Sequence, residues 1–251
     1  MGNKYHIFNR VIQDSMFLKF LLISCVIISF YQESYATTTF NYSDGTASTS
    51  SDTVLSQSSR GNRTDVVSVS IGSEVTAIGT KAFWFCTNLP SITIPTSVTS
   101  IGYDAFSACN SITNIIIPTS VTELGAYAFA GTGASQIVIP DSVTSIGIWA
   151  FASNFNLENI IIGKGVTAIN DFTFTSAAKL SSVTFLGNAP LEGSYIFDGS
   201  PNVKNIYYYP DTTGWGSTWA GVSTSLVPEP SALSLLAIGL GGLAILRRRR
   251  S

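Results

Sequence analysis

The stretch Val98-Thr99-Ser100-Ile101-Gly102-Tyr103-Asp104-Ala105-Phe106 decides the fold, because related copies of it recur along the chain. The other copies begin at Val75, Val121, Val143 and Val166, and each reaches a phenylalanine eight residues after its valine. The leading valines are 22 or 23 residues apart. A fixed period of this length is typical of solenoids, in which each repeat contacts only its neighbours.

Each repeat opens with a run in which β-branched and other apolar residues alternate with other side chains. These runs cover residues 66–71, 89–94, 112–117, 134–139, 157–162, 180–185 and 203–208. A period of two predicts a strand, and a 23-residue spacing leaves room for only a short return between parallel strands. We therefore expect a mostly β repeat solenoid of seven coils, with parallel strands joined by short turns or one-turn helices.

Stacked coils turn each inward position into a ladder of similar side chains. The phenylalanines that end the repeats are expected to form one continuous aromatic spine. They are Phe83, Phe106, Phe129, Phe151 and Phe174, with Phe197 as an extension. Burial of a phenylalanine contributes roughly 1.5–3 kcal/mol, so this spine is predicted to be a main source of stability.

The repeat resembles the BspA-type bacterial leucine-rich repeats, whose units carry an I-P-x-S-V-T-x-I-G-x-x-A-F core. Residues 94–106 match that core almost position for position, and the resemblance covers residues 66–208. Asn170 replaces the corner glycine and Thr173 the alanine in a later unit. The resemblance implies a leucine-rich-repeat-like fold and a surface or secreted protein that functions in adhesion.

The N-terminal end has the features of a secretory signal peptide. Lys4, Arg10 and Lys19 precede an apolar run over residues 20–31, and small residues follow at 34–36. We expect signal peptidase to cleave after Ala36, so that residues 1–36 are removed. An uncleaved N-terminal anchor is the alternative.

Residues 37–65 form a Ser/Thr-rich segment that is interpreted as a linker or an N-terminal cap. Its low apolar content predicts a flexible loop over about residues 43–62. Phe40 and Tyr42 are candidates for a first capping strand.

The C-terminal end, residues 228–251, combines a short motif, an apolar segment at 231–246 and a basic cluster. The motif and cluster residues are Pro228, Glu229, Pro230, Arg247, Arg248, Arg249 and Arg250. The apolar segment predicts a transmembrane helix whose arginines stay on the cytoplasmic side. The three elements resemble the PEP-CTERM sorting signal of Gram-negative bacteria. That resemblance implies processing by an exosortase, transient anchoring in the inner membrane, and delivery to the cell surface, outer envelope or extracellular matrix.

Residues 209–227 change in character and are predicted to cap the last coil. Trp215 and Trp219 stand among small polar residues there. A sugar-binding aromatic platform is the alternative interpretation of the two tryptophans.

Charge and composition exclude several classes of function. Residues 37–227 carry twelve acidic and six basic side chains, a net charge near −6, which disfavours nucleic-acid binding. The only histidine, His6, lies in the predicted signal peptide, so Ser/His and Cys/His catalysis and common zinc sites are not expected. We expect neither enzymatic activity nor a cofactor or metal.

Two outward-facing columns of the strands are the candidate binding surface. They place three aliphatic residues beside three amides, and a contiguous exposed apolar patch is typical of interaction sites. The six residues are Asn114, Ile116, Gln136, Val138, Asn159 and Ile161. Alternatively, β-propensity alone explains these residues.

Cys86 and Cys109 are one period apart and so occupy the same site in adjacent coils. Neighbouring strands lie about 4.8 Å apart, within the range that a disulfide spans. The spacing allows a disulfide, with a buried pair of reduced thiols as the alternative.

Taken together, these features predict an exported repeat protein that acts as a non-enzymatic binding or adhesion module for a protein or polysaccharide partner. The alternative is a structural component of the cell envelope or exopolysaccharide matrix.

Overall fold

The computed structural model describes residues 37–228, and their strands wind into a solenoid. The strands are β1 (Thr38–Tyr42), β2 (Ala47–Ser50), β3 (Val54–Leu55), β4 (Val66–Ser70), β5 (Ala77–Ile78), β6 (Ser100–Ile101), β7 (Glu123–Leu124), β8 (Gln136–Ile139), β9 (Ser145–Ile146), β10 (Asn159–Ile162), β11 (Ala168–Ile169), β12 (Ser182–Phe185), β13 (Leu191–Glu192), β14 (Asn205–Tyr208), β15 (Thr218–Trp219) and β16 (Val222–Leu226). A 3-10 helix covers Gln57–Arg60. The predicted mostly β solenoid is confirmed.

One face of the solenoid is a seven-stranded parallel sheet of two-residue strands, in the order β13-β11-β9-β7-β6-β5-β3. The five inner strands, β5, β6, β7, β9 and β11, come from the five copies of the valine-led repeat motif. Their register is one full coil, so that Ile78 pairs with Ile101 and Ile101 with Leu124. The paired aliphatic side chains are buried, which explains why the motif recurs at this position in successive units.

A second face is a six-stranded sheet in the order β15-β16-β14-β12-β10-β8. Strands β8, β10, β12 and β14 are parallel, and Ile160 of β10 pairs with Ile137 on one side and Val183 on the other. Ile137, Ile160, Val183 and Ile206 are buried, as expected for alternating strands with one inward face.

Two of the predicted strand runs, residues 89–94 and 112–117, are not strands in the structure. Pro90 lies within the first run, where its missing N–H removes a donor from any ladder. The first run of all, which becomes β4, pairs antiparallel with β1. The sheet on this face therefore begins at β8, the fourth of the predicted runs, three coils later than in a fully regular solenoid.

The third face is built from consecutive turns that replace the one-turn helices considered above. In the first coil the N–H groups of Lys81, Phe83 and Phe85 donate to carbonyl oxygens of the next coil at 2.7–2.9 Å. The same three bonds recur in each of five successive coils, always from N–H of one coil to C=O of the next. The first and third donors of each triplet have φ of +55 to +67°. This alternation makes the N–H groups point along the solenoid axis in one direction.

The phenylalanine spine is confirmed. Neighbouring rings from Phe83 to Phe197 stack with centroids 5.2–5.7 Å apart and planes within 17° of parallel. Phe40 covers the first ring at 6.0 Å, and Trp219 meets the last one edge-on at 6.2 Å. The spine is therefore closed by an aromatic side chain at each end.

The flexible-loop interpretation of residues 43–62 is wrong. Strands β1, β2 and β4 form an antiparallel sheet, and β3 is the first strand of the seven-stranded sheet. Arg60, at the end of the 3-10 helix, is completely buried. Its Nε donates to Ala82 O at 2.7 Å and its Nη2 to Trp84 O at 3.0 Å. These carbonyls are the ones to which an earlier coil would donate, so Arg60 substitutes for that coil.

The C-terminal end of the spine is covered by residues 209–227. Trp219 is buried, and its Nε1 donates to Pro190 O at 3.0 Å. The Phe185 ring contacts Trp215 and Trp219 at 4.9 and 5.2 Å. Because the Trp219 ring lies inside the protein, it does not form a sugar-binding platform.

The predicted signal peptide at 1–36 and the segment at 229–251, with the predicted transmembrane helix and the arginines, lie outside the described residues. Within residues 37–228 the structure contains no apolar helix of membrane-spanning length.

Candidate binding surfaces

The candidate residues on the strands lie together on the outer face of the second sheet. Val138 of β8 is in register with Ile161 of β10, and Gln136 with Asn159. Ile116 is 70% exposed and Val138 is 44% exposed, whereas Ile161 is half-buried. Asn114 and Ile116 belong to the run 112–117, which does not pair as a strand. We call these six residues the sheet patch.

The three amides of the sheet patch are available to a partner. The side chains of Asn114, Gln136 and Asn159 make no hydrogen bond to any other described residue. The patch thus combines exposed aliphatic groups with unengaged amide donors and acceptors, a combination that suits a protein contact better than a structural role in the sheet.

A second surface, which the alternation of the strands did not reveal, is a column of aromatic side chains on the turn face. It contains Tyr103, Tyr127, Trp149, Phe172 and Tyr195, one from each of five adjacent coils. From Tyr127 onward the rings are stacked, with centroid distances of 6.0, 4.4 and 5.1 Å. We call these five residues the aromatic column.

The backbone of the turns places the aromatic column on the surface. Tyr127, Trp149, Phe172 and Tyr195 each have φ of +56 to +60° and lie two residues before a phenylalanine of the spine. Left-handed backbone costs a non-glycine residue roughly 1–2 kcal/mol. The axial hydrogen bonds and ring stacking offset this cost. The signal in the sequence was an aromatic residue two positions before Phe129, Phe151, Phe174 and Phe197.

The ends of the aromatic column are its most exposed parts, with Tyr103 46% and Tyr195 67% exposed. The Asp104 carboxylate and, secondarily, partial burial raise the pKa of the Tyr103 hydroxyl above its ordinary value. Tyr195 stacks on Phe172 by one face and lines a surface depression of about 470 Å³. Glu192, Asp198, Ile196, Val203 and Val222 also line this depression.

Cys86 and Cys109 are buried free thiols in the structure. Cys109 Sγ donates to Phe83 O at 2.9 Å. Asn154 and Ser200 occupy the equivalent site in later coils, and each donates from its side chain to the carbonyl oxygen of Phe129 or Phe174. Cys109 thus belongs to a series of inward donors that serve the carbonyls of the spine.

Two aspartates at turns accept hydrogen bonds from the backbone of the following coil. Asp141 Oδ1 accepts from Lys164 N at 2.9 Å, and Asp171 Oδ1 accepts from Ser194 N at 2.7 Å. Both bonds link one coil to the next, which is a structural use of the side chain. Among the described residues no group of three or more His, Cys, Asp or Glu side chains is arranged to hold a metal.

Comparison with known families agrees with this architecture. The family model described as "BspA type Leucine rich repeat region" matches six copies over residues 53–134 and 104–218. The chain belongs to this family of BspA-type leucine-rich repeat proteins. The matched region begins at residue 53, so it includes β3 and Arg60, which lie in the segment interpreted above as a linker or an N-terminal cap.

A second family model, the PEP-CTERM protein-sorting motif, matches residues 226–250. This motif implies processing by an exosortase. Together with the BspA-type repeats, it indicates an exported cell-surface protein.

Solved structures of bacterial leucine-rich repeat proteins also align with the chain. A leucine-rich cell surface protein from Faecalibacterium prausnitzii is 21% identical, with a TM-score of 0.43, over 69% of this chain and 53% of that protein. A leucine-rich repeat protein from Bacteroides ovatus is 21% identical, with a TM-score of 0.39, over 62% of this chain and 60% of that protein. The T. pallidum leucine-rich repeat protein is 26% identical, with a TM-score of 0.41, over 53% of this chain and 72% of that protein. No curated protein matches the sequence.

Proposed function

We propose that this BspA-type protein is a non-enzymatic binding module that is displayed outside the cell and contacts a polysaccharide or protein through its aromatic column. The observation that carries the proposal is the alignment of five surface aromatic side chains across five adjacent coils. Aromatic side chains offer a large rigid contact area at a low entropic cost, which is why they are enriched at binding surfaces.

The location of the protein supports this function. The sorting motif at 226–250 and the repeat family favour delivery to the surface or extracellular matrix of a Gram-negative bacterium, after transient anchoring in the inner membrane. Signal peptidase and exosortase are the proposed processing partners. A module placed there meets polysaccharides and surface proteins, and its net negative charge disfavours nucleic acid.

The proposal is tested by saturable binding of the full-length protein, purified in detergent, to immobilised exopolysaccharide and surface-protein fractions of the producing organism. The double variant Tyr103→Ser, Tyr195→Ser removes both exposed ends of the aromatic column. The control, Phe85→Ser with Phe155→Ser, removes two exposed aromatics outside it. We expect the first variant to weaken binding at least tenfold and the control to bind normally. Equal loss in both variants would refute the role of the column.

The sheet patch is a second candidate contact, favoured by the 70% exposure of Ile116 beside unengaged amides. We propose that it contacts a protein. Changing Ile116, Val138 and Ile161 together to threonine should retain the fold, because threonine also suits strands, and should abolish binding to a protein fraction. Unchanged binding would leave β-propensity as the explanation of these residues.

The alternative function is a structural component of the envelope or exopolysaccharide matrix. A structural component is expected to associate without saturation and without dependence on either surface. The same titration therefore separates the two functions.

A further inference from the structure

The coil at residues 192–200 presents a row of backbone donors that face the end of the solenoid. In the preceding coil the N–H groups of Phe172, Phe174 and Ser176 donate to carbonyl oxygens of this coil at 2.7–2.9 Å. The corresponding groups one coil later are those of Tyr195, Phe197 and Gly199. They have no acceptor in the described part of the chain. Tyr195 and Gly199 keep the left-handed backbone, with φ of 56° and 67°, so the donors retain the arrangement of the earlier coils.

Successive N–H groups in alternating right- and left-handed backbone form concave sites for electron-rich ligand atoms. Here the row lies at the depression lined by Tyr195, Phe197 and Asp198. The depression has a volume of about 470 Å³, and its lining residues include Ile196 and Val203. It is therefore large enough to admit a small ligand group against these donors.

A second copy of this chain is not the natural occupant. Head-to-tail stacking would require the free carbonyl edge of another molecule's first coil. That edge is already bonded, because Arg60 donates to Ala82 O and Trp84 O. The two ends of the solenoid are thus unequal, with a closed acceptor edge and an open donor edge.

The groups around the donors define the chemistry of the ligand. Glu192 and Asp198 place carboxylates at the same depression, so an anionic ligand would be repelled. A simple cation would be repelled by the partial positive charges of the N–H row. Glu192 Oε2 accepts from Ala220 N at 2.5 Å, which fixes that side chain at the rim. A ligand that fits must accept hydrogen bonds from the N–H row and donate hydrogen bonds to the carboxylates.

The Tyr195 ring adds an apolar requirement. One face stacks on Phe172 at 5.1 Å, and the other makes no aromatic contact within the described residues. A pyranose ring offers a flat C–H face for such a ring, and each of its hydroxyls both donates and accepts. We propose that this depression is an end-on binding site for a neutral saccharide unit, which stacks on Tyr195 and bonds to the N–H row and to Asp198. This inference rests on the proposed binding function and names its ligand class.

The site is tested with the full-length protein in detergent on an array of neutral and acidic oligosaccharides and of unstructured peptides. We expect binding to neutral oligosaccharides only. For the tightest of them, Tyr195→Ala should raise Kd at least tenfold, and Tyr195→Phe should retain binding because the ring is kept. Phe155→Ala, at an exposed aromatic residue outside the aromatic column, is the matched control and should change Kd less than twofold. Tyr103→Ala, at the opposite end of the aromatic column, separates an end-on site from binding along the column. Thermal melts of the variants check that the fold is unchanged.

Each other result overturns the inference. Equal losses with Tyr103→Ala and Tyr195→Ala would place the saccharide along the aromatic column, so that the proposed function stands and the end-on site does not. Preference for peptides or acidic oligosaccharides would likewise refute the end-on saccharide site and leave the proposed binding function standing. Binding to no array component, combined with no saturable binding to matrix fractions, would refute both.

Discussion

The Nε of Arg60 lies 2.7 Å from the carbonyl oxygen of Ala82, and this bond closes the N-terminal end of the solenoid. The guanidinium is completely buried without a carboxylate partner in the described part of the chain, and its Nη1 has no hydrogen-bond partner there. Burying a charge in this way is costly. The hydrogen bonds that the guanidinium donates offset this cost, because they pair carbonyl groups that would otherwise be buried without a partner.

Replacing Arg60 with leucine should therefore destabilise the protein strongly. A buried polar group left without its partner costs about 1–3 kcal/mol, and two close carbonyl contacts are lost, so we expect a decrease of about 2–5 kcal/mol in the free energy of unfolding. The matched control is Arg63→Leu, which removes solvent-screened surface ion pairs with Asp44 and Asp65 and should therefore have a much smaller effect. Urea unfolding followed by circular dichroism measures both. Equal effects would contradict the capping role.

Truncation of the phenylalanine spine should be more damaging than truncation of a surface ring. Phe129 is buried between Phe106 and Phe151, at 5.2 and 5.6 Å. Phe129→Ala is expected to cost about 3–5 kcal/mol, as is usual for phenylalanine truncation in a core. Phe155, which is 61% exposed, gives the control Phe155→Ala with a cost below about 1 kcal/mol. If Phe129→Ala and Phe155→Ala lower the urea midpoint of unfolding by the same amount, the spine is not the main stabiliser.

The inward donor series predicts opposite outcomes for two small substitutions at Cys109. Serine keeps a donor for Phe83 O, as Ser200 does for Phe174 O, and should change stability little. Valine removes this donor and leaves Phe83 O with the Cys86 N–H alone, so it should cost about 0.5–1.5 kcal/mol, the net contribution of one hydrogen bond. The comparison is made by thermal melting. If Cys109→Val melts at a higher temperature than Cys109→Ser, the hydrogen bond from Cys109 Sγ to Phe83 O does not contribute to stability.

The thiols should also be unreactive in the native protein. Burial raises the pKa of Cys86 to about 11 and that of Cys109 further in the same direction. At pH 8 both are therefore protonated and inaccessible, whereas the thiolate is the reactive form. A thiol-specific chromogenic reagent should titrate no cysteine among residues 37–228 before unfolding and two after it. The absence of free thiols after non-reducing unfolding would instead establish a disulfide.

Acid should loosen the N-terminal cap first. A hydrogen bond from Thr46 holds the pKa of Asp44 below its usual value, and one from Arg63 does the same, more strongly, for Asp65. A carboxyl group whose pKa is lower in the folded state stabilises that state above its unfolded pKa of about 3.9, and the contribution is lost as pH falls through the folded value. Carboxyl NMR titration should show both titration midpoints below pH 3.9. The urea concentration at the midpoint of unfolding should decrease as the pH is lowered through the same range. In Asp65→Asn the decrease with pH should be smaller.

Much of this architecture could be predicted from the repeat alone. The period of 22 or 23 residues, the inward aliphatic positions and the phenylalanine spine all follow from stacking identical units. Asn170 shows why an irregular repeat still fits. Its Nδ2 donates to Ile146 O at 2.7 Å. A glycine at the same corner, such as Gly125, donates to the equivalent carbonyl of the preceding coil from its backbone N–H.

The N-terminal cap and the aromatic column could not be predicted by the same reasoning. Residues 43–62 have too few apolar side chains to predict order, because the cap is stabilised by hydrogen bonds to Arg60 and Arg63. The aromatic column depends on left-handed backbone at Tyr127 and its equivalents, which local propensity disfavours. Such a conformation persists where surrounding contacts impose it, here through bonds to the next coil.

The one-way hydrogen bonds of the turn face give the solenoid an electrical polarity, comparable to that of a helix. Five coils add aligned N–H and C=O groups, with the negative carbonyl end at the first coil and the positive N–H end at residues 195–199. The permanent charge of Arg60 stands at the negative end, and the carboxylates of Glu192 and Asp198 stand at the positive end. Fixed side-chain charges therefore offset the partial charges that the aligned groups leave at the two ends, so these three residues could serve a longer member of this architecture equally well.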